Sequence, residues 1–185
     1  MKKIALPAGT VLAPVPAVMV SCGDSPENYN IVTVSWTGTV CSQPPMAYVA
    51  LREERHSFGI IKRTGEFVIN LTPVELLETA DWCGVRSGKE VNKWMERGLT
   101  PASATVVKAP LIAECPVNVE CRVTEIKELG SHFLFLAEVV AVNADERYVK
   151  DERLDLTEFS TVANVGGNYM RVGGFIGPLR FTARR

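Results

Sequence analysis

Six runs of apolar, largely β-branched residues recur along the chain, at Val15 to Cys22, Ile31 to Trp36, Ala47 to Leu51, Phe67 to Leu71, Val117 to Ile126 and Phe133 to Val142. Each has the length and composition of a β-strand, and most are bounded by Gly, Pro, Asn or Ser. No series of long helical segments alternates with them, as parallel βαβ units would require. The pattern therefore argues for a mainly antiparallel barrel with short helical excursions.

The last two runs flank Lys127 to His132, where Gly130 and Ser131 supply a turn, so they are expected to pair as a hairpin. From Val117 to Val123 the odd positions are apolar and the even ones are Asn118, Glu120 and Arg122, which predicts a strand with one wet face. Phe133 to Val142 shows no alternation before Glu138 and is expected to be buried on both faces. Three short helices are predicted. Thr72 and Glu75 form a capping box for one carrying Val74, Leu76, Leu77 and Ala80. Ser87 and Glu90 repeat the box for a second, with Val91, Trp94 and Met95 on its inner side and a stop at Gly98. A third, Ser57 to Arg63, presents Phe58, Ile60 and Ile61 and ends at Gly65.

A chain of 185 residues, 46% of them hydrophobic, buries enough apolar surface to fold alone, and a single domain over 1–185 is expected. Lys and Arg total 20 against 21 Asp and Glu, a balance that gives no field to attract nucleic acid or an anionic membrane, so any anion site is local. The opening residues are interrupted by Pro7, Pro14 and Pro16 and do not read as a signal peptide, and no run approaches membrane-spanning length. A soluble cytoplasmic protein is the expectation. Cys22, Cys41, Cys83, Cys115 and Cys121 are odd in number and lack CxxC spacing, which fits reduced thiols, and with only His56 and His132 to join them they form no metal-ligand pattern.

Four constellations could carry chemistry. In Asn30-Ile31-Val32-Thr33-Val34-Ser35-Trp36-Thr37-Gly38 a strand turns rich in small hydroxyls beside a large aromatic, which suits a bound planar heterocycle or a solvated edge. Arg52-Glu53-Glu54-Arg55-His56-Ser57 precedes a helix whose free N–H groups, with the Arg, His and Ser donors, suit a phosphate, although the two glutamates could equally neutralise a solvated loop. Cys83-Gly84-Val85-Arg86-Ser87-Gly88, continuing to Lys93, has two glycines where a ligand could approach the backbone, or is an ordinary connection between helices. It is not a nucleotide P-loop, because only three residues separate Gly84 from Gly88 and no strand leads into it. The fourth is Val165-Gly166-Gly167-Asn168-Tyr169, in which Tyr169 could stack on a ligand or the glycines could make a plain turn.

Taken in order, Asn30-x-x-Thr33-x-Ser35-Trp36-x-Gly38, Pro44-Pro45, Arg52-x-x-Arg55-His56-Ser57, Gly65 to Leu71, Cys83-Gly84-x-x-Ser87-Gly88, Ala109 to Glu114, Gly130-Ser131-His132 and Gly167-x-Tyr169 resemble the flavin reductase-like, FMN-binding split-barrel family, in its flavoredoxin-like branch. The resemblance covers roughly Val11 to Tyr169. It implies a six-stranded antiparallel split β-barrel of Greek-key type with short peripheral helices, forming a homodimer with FMN near the subunit interface. By that likeness Asn30, Thr33, Val34, Ser35 and Trp36 line the ring and ribityl chain, while Arg52, Arg55, His56 and Ser57 gather the phosphate. Cys83, Gly84, Ser87, Gly88 and Lys93 close over the cofactor, and Tyr169 flanks it. The implied activity is that of an FMN-dependent oxidoreductase passing electrons from NAD(P)H or a redox protein, with the flavin rather than a protein nucleophile doing the chemistry. A non-catalytic ligand-binding or interaction domain on the same barrel is the alternative.

Overall fold

The computed structural model describes residues 1–180 and Thr182. Along the chain the strands are β1 (Val15–Pro16), β2 (Val18–Cys22), β3 (Asn30–Val34), β4 (Thr37–Ser42), β5 (Pro45–Leu51) and β6 (Glu66–Asn70). They continue with β7 (Pro101–Ala102), β8 (Leu111–Ile112), β9 (Val117–Glu128), β10 (Phe133–Ala144), β11 (Val149–Lys150), β12 (Arg153–Leu154), β13 (Thr161–Val165) and β14 (Asn168–Val172). The helices are α1 (His56–Thr64), α2 (Leu77–Val85) and α3 (Lys93–Glu96). Among the described residues no helix is long and apolar enough to cross a membrane.

Seven strands form one antiparallel sheet in the order β3-β2-β6-β9-β10-β5-β4. The two strands at the ends of that order, β3 and β4, are joined in sequence by only Ser35 and Trp36. Three Cα steps span at most about 11 Å, whereas a flat sheet would hold its outer strands about 29 Å apart at the usual strand spacing. The sheet must therefore curl into a barrel whose seam lies between β3 and β4. Val20, Val32, Val49, Ile61, Phe67, Cys121 and Phe135 fill the interior, and Phe58 of α1 packs edge-on against Phe133 and Phe135 at 4.9 and 5.5 Å.

The six apolar runs are β2, β3, β5, β6, β9 and β10, and the antiparallel barrel class is as expected. The seventh strand, β4, is Thr37-Gly38-Thr39-Val40-Cys41-Ser42, a mostly exposed edge with no apolar stripe to reveal it. Helix α1 lies within a residue of its predicted bounds and ends at Gly65, whose φ of 69° suits a left-handed cap. The hairpin of β9 and β10 closes through Leu129 N donating to His132 O.

Four expectations need correction. Thr72 caps no helix, since Pro73 holds the N-cap position of the turn at Val74–Leu76 and α2 follows from Leu77. Ser87 caps only a tight turn, accepting from Lys89 N, while Asn92 caps the much shorter α3, which points Trp94 inward and leaves Met95 exposed. The even face of β9 is not wet at Asn118 and Glu120, because the 104–112 segment folds over it: Glu120 accepts from the backbone N–H groups of Thr105, Val106 and Val107. Finally, β10 buries Phe135 and Ala137 in the barrel but leaves Glu138 and Val142 exposed and its remaining residues half-buried.

Outside the barrel, α2 and α3 cover the outer face of β2 and β3, where Met19 and Ile31 meet Ala80, Cys83 and Trp94. Each of these two strands thus buries apolar residues on both faces. Strands β1, β13 and β14 form a second small sheet. Gly166 and Gly167 make its hairpin turn with φ of 59° and 85°, the backbone that a two-residue turn of the type I′ class demands.

Candidate functional site

The seam exposes one side of β3, and three segments converge on it. Strand β5 ends at Leu51, the chain turns through Arg52 to Arg55 with Arg55 N donating to Arg52 O, and α1 begins at His56. From the far side α2 presents its last turn and the loop that follows. Gly84 lets α2 approach closely, since a Cβ there would lie 3.1 Å from Thr33 Cβ. Thr33 Oγ1 in turn donates to Ala80 O.

Between these segments, along the seam groove, lie two adjoining cavities that both border Val32 and Arg55. The larger, about 330 Å³, is bounded by Asn30, Arg55, His56, Ser57, Ser87, Gly88 and Lys93. The smaller, about 160 Å³, runs along Thr33, Val34, Ser35 and Trp36 to Arg52. Among the residues expected from sequence, Cys83, Gly84 and Tyr169 line neither cavity. Cys83 and Gly84 stand behind the wall and act through their carbonyls, which accept from Lys93 Nζ at 2.6 Å and Arg55 Nη1 at 2.7 Å. Tyr169 lies on β14 and donates its hydroxyl to Asp81 at 3.0 Å.

The larger cavity sets three cations, Arg55, Arg86 and Lys93, against one carboxylate, Glu54, and is rich in donors. The first N–H groups of α1 have no intrahelical acceptor, and the helix dipole favours an anion there. Lys93 is almost wholly buried, and its ammonium donates to Ile31 O and Cys83 O, leaving one of its three N–H groups over. Burial pushes its pKa down to about 8, with the charge of Arg55 acting in the same direction against the Cys83 thiol. Burial, and then the charges of Lys89 and Lys93, hold His56 below the ordinary imidazole value. Asn30 Nδ2 donates to Ser57 Oγ at 2.8 Å, and a Cβ on Gly88 would come within 2.1 Å of Asn30 Oδ1. The smaller cavity instead offers hydroxyls, strand backbone and the half-exposed indole of Trp36. The groove can therefore receive an elongated ligand, with a phosphate or similar anion at one end and a flat polar ring at the other.

Sequence reasoning missed several lining residues. Glu54, Val85 and Arg86 line the larger cavity, and the signal for Arg86 was its place between Gly84 and Gly88. Ala50, Leu51 and His132 line the smaller. His132 arrives there because β10 pairs with β5, Phe133 opposite Leu51, a register no local pattern discloses.

An antiparallel barrel split along one seam, with a ligand groove at the split, defines the split-barrel class. The chain belongs to the flavin reductase-like family: residues 11–169 match the family described as flavin reductase like domain. It is 31% identical to flavoredoxin of Desulfovibrio vulgaris (Miyazaki F), with a TM-score of 0.90 over 99% of this chain and 100% of that one. A solved structure with a split barrel domain from Shewanella frigidimarina is 26% identical, with a TM-score of 0.81 over 91% of this chain and 86% of that one. An uncharacterized protein of Archaeoglobus fulgidus is 34% identical over 77% of this chain and 81% of its own length.

Proposed function

We propose that the chain binds FMN non-covalently along the seam groove and passes electrons through it, as a homodimer. The observation that carries this reading is the adjacency of the two cavities at Val32 and Arg55, which sets a donor-rich end at the start of α1 beside a hydroxyl- and Trp-lined end. The residues present fit the group: Arg55, Ser57 and Lys93 supply donors for a phosphate, and Gly88 leaves room that a Cβ would fill. FMN, when bound, supplies the hydride and electron transfer. The strand backbone at Thr33 to Trp36 orients the ring and offers N–H groups that stabilise negative charge on its carbonyl edge.

A third cavity of about 450 Å³ adjoins the ring end through Ser35, Trp36, Ala50 and His132, and its walls are largely apolar, with Val11, Leu12, Tyr48 and Leu134. That opening gives an NAD(P)H nicotinamide or another redox partner access to the ring. Exposed Met170, Val172, Phe175, Ile176 and Leu179 supply apolar surface for a second copy to cover.

The test is the absorption spectrum of the purified protein, followed by titration of apoprotein with FMN and anaerobic addition of NADH or NADPH. A yellow protein that binds FMN at micromolar concentration is expected, and apoprotein that takes up none overturns the reading. Rapid bleaching by a nicotinamide nucleotide marks a reductase, whereas FMN binding without bleaching marks a carrier served by a redox protein. Sedimentation velocity reads the expected dimer mass directly.

A further inference from the structure

The hairpin of β13 and β14 stands outside the barrel, yet one of its side chains reaches the ring end of the groove. Asn164 Nδ2 donates to Ser35 Oγ at 3.3 Å, and Ser35 borders both the smaller cavity and the apolar one beyond it. The direction of that bond is fixed from behind. Gly167 N donates to Asn164 Oδ1 at 3.0 Å. Because a backbone N–H can only donate, the Asn164 amide must turn its oxygen toward Gly167 and its NH2 group toward Ser35. Tyr169 pairs directly opposite Asn164 across the two strands and donates its hydroxyl to Asp81 of α2, which braces the hairpin against the barrel. Partial burial, and then the Asp81 carboxylate, push the Tyr169 pKa up to about 12, so this brace keeps its proton through the neutral range.

A serine hydroxyl carries one hydrogen and two lone pairs. At Ser35 one lone pair is taken by Asn164, and among the described residues no protein group accepts the hydrogen. The hydroxyl is thus set to donate to whatever lies in the groove. We propose that Asn164 is a positioning residue, which holds the Ser35 hydroxyl as a hydrogen-bond donor to the flavin ring. A donor at that place favours the reduced, more negative form and raises the potential of the bound flavin. This rests on the reading that the ring lies along Thr33 to Trp36.

The test measures FMN affinity and midpoint potential for the wild-type chain, Asn164→Ala, Asn164→Asp, Ser35→Ala and the two double variants, with thermal melting to confirm folding. Asn164→Ala is expected to lower the potential, by weakening reduced FMN about threefold more than oxidised FMN. Asn164→Asp still accepts from Gly167 N, so the turn is kept, but toward Ser35 it can only accept and draws the hydroxyl hydrogen off the ring. A larger fall is expected there, about tenfold on the same scale. In a Ser35→Ala chain no hydroxyl remains to be oriented, so Asn164→Ala should leave the potential unmoved and Asn164→Asp should keep only the effect of its charge. A potential that Asn164→Ala does not change, or lowers equally with and without the Ser35 hydroxyl, overturns the inference. Should Asn164→Ala fail to fold, the Asn164→Asp pair decides by the same comparison, and an equal fall in both backgrounds overturns it. Wild-type protein that takes up no FMN is a separate result and removes the FMN reading itself.

Discussion

Asn30 and Ser57, 27 positions apart in sequence, are joined by a 2.8 Å hydrogen bond from the Asn30 amide to the Ser57 hydroxyl. The bond ties the first residue of the seam strand to the first turn of α1. Both residues are buried, and both border the cationic cavity. Position and chemistry are thus coupled: what fixes the strand against the helix also fixes the wall of the proposed phosphate end.

Asn30→Ala removes that link and leaves a buried hydroxyl without its donor. Such a loss costs about 1–2 kcal/mol, so urea unfolding should show a stability decrease of that order. FMN affinity should fall about tenfold, since 1.4 kcal/mol corresponds to a factor of ten. Asn30→Asp should cost a similar amount of stability but more affinity, because it places a negative charge beside the proposed phosphate. Equal affinity loss in the two variants would remove the anion from this end of the groove.

Gly88→Ala tests the same corner from the loop side. The added methyl would sit 2.1 Å from Asn30 Oδ1, too close for any contact, and Asn30 is pinned by Ser57. Overpacking of this kind costs about 1–3 kcal/mol. Weaker FMN binding with a modest fall in Tm is expected. Wild-type affinity in this variant would show that the loop does not close on the ligand.

Much of this was legible in the sequence, for identifiable reasons. The barrel strands announce themselves because their interiors need continuous apolar, β-branched residues, and Gly65 marks the end of α1 because only a left-handed residue closes it. Twelve of the fifteen residues expected at the site do border the two cavities, since hydroxyls on a strand and cations before a helix are local signals. What escaped depends on distant partners. Glu120 reads as solvent-facing by alternation and is buried because residues 105–107 fold onto it. The supposed caps at Thr72 and Ser87 have the right spacing, but Pro73 and Asn92 hold the helix starts. His132 reaches the groove through a strand pairing that only the folded sheet provides.

Glu120 offers a prediction away from the groove. Burial alone would push its carboxyl up, but the N–H groups of Thr105, Val107 and Val106, with the Asn143 amide, outweigh burial and hold it below the ordinary 4.5. A carboxyl lowered in the folded state contributes stability that is present above its unfolded value and is lost as pH falls through the folded one. Glu120→Gln should therefore lower stability by about 2 kcal/mol at neutral pH and flatten part of the acid-side loss. Amide exchange at Thr105 to Val107 should accelerate, with FMN affinity unchanged. Unaltered protection at those amides would mean that the segment is held by its apolar contacts at Val107 and Ala109 instead.

Lys93 should couple stability and ligand binding to pH in opposite directions. Burial sets its pKa near 8 in the folded chain, against 10.5 for an ordinary lysine. Between those values the unfolded chain holds the proton that the folded chain has shed, so this group's contribution makes stability rise with pH across the interval. Over the same interval the cationic cavity loses a positive charge, and an anionic ligand binds less tightly. FMN titrations and urea unfolding between about pH 7 and 10 should show affinity falling above about 8 while the lysine's share of stability grows. Lys93→Met should bind FMN more weakly at pH 7 and lose the inflection in both measurements. Comparison with Lys62→Met, a change on the outer side of α1 remote from both cavities, separates the effect from a general loss of charge. An FMN affinity that stays flat through pH 9 in the wild-type chain would place the phosphate beyond the reach of Lys93, and with it the orientation of the whole ligand in the groove.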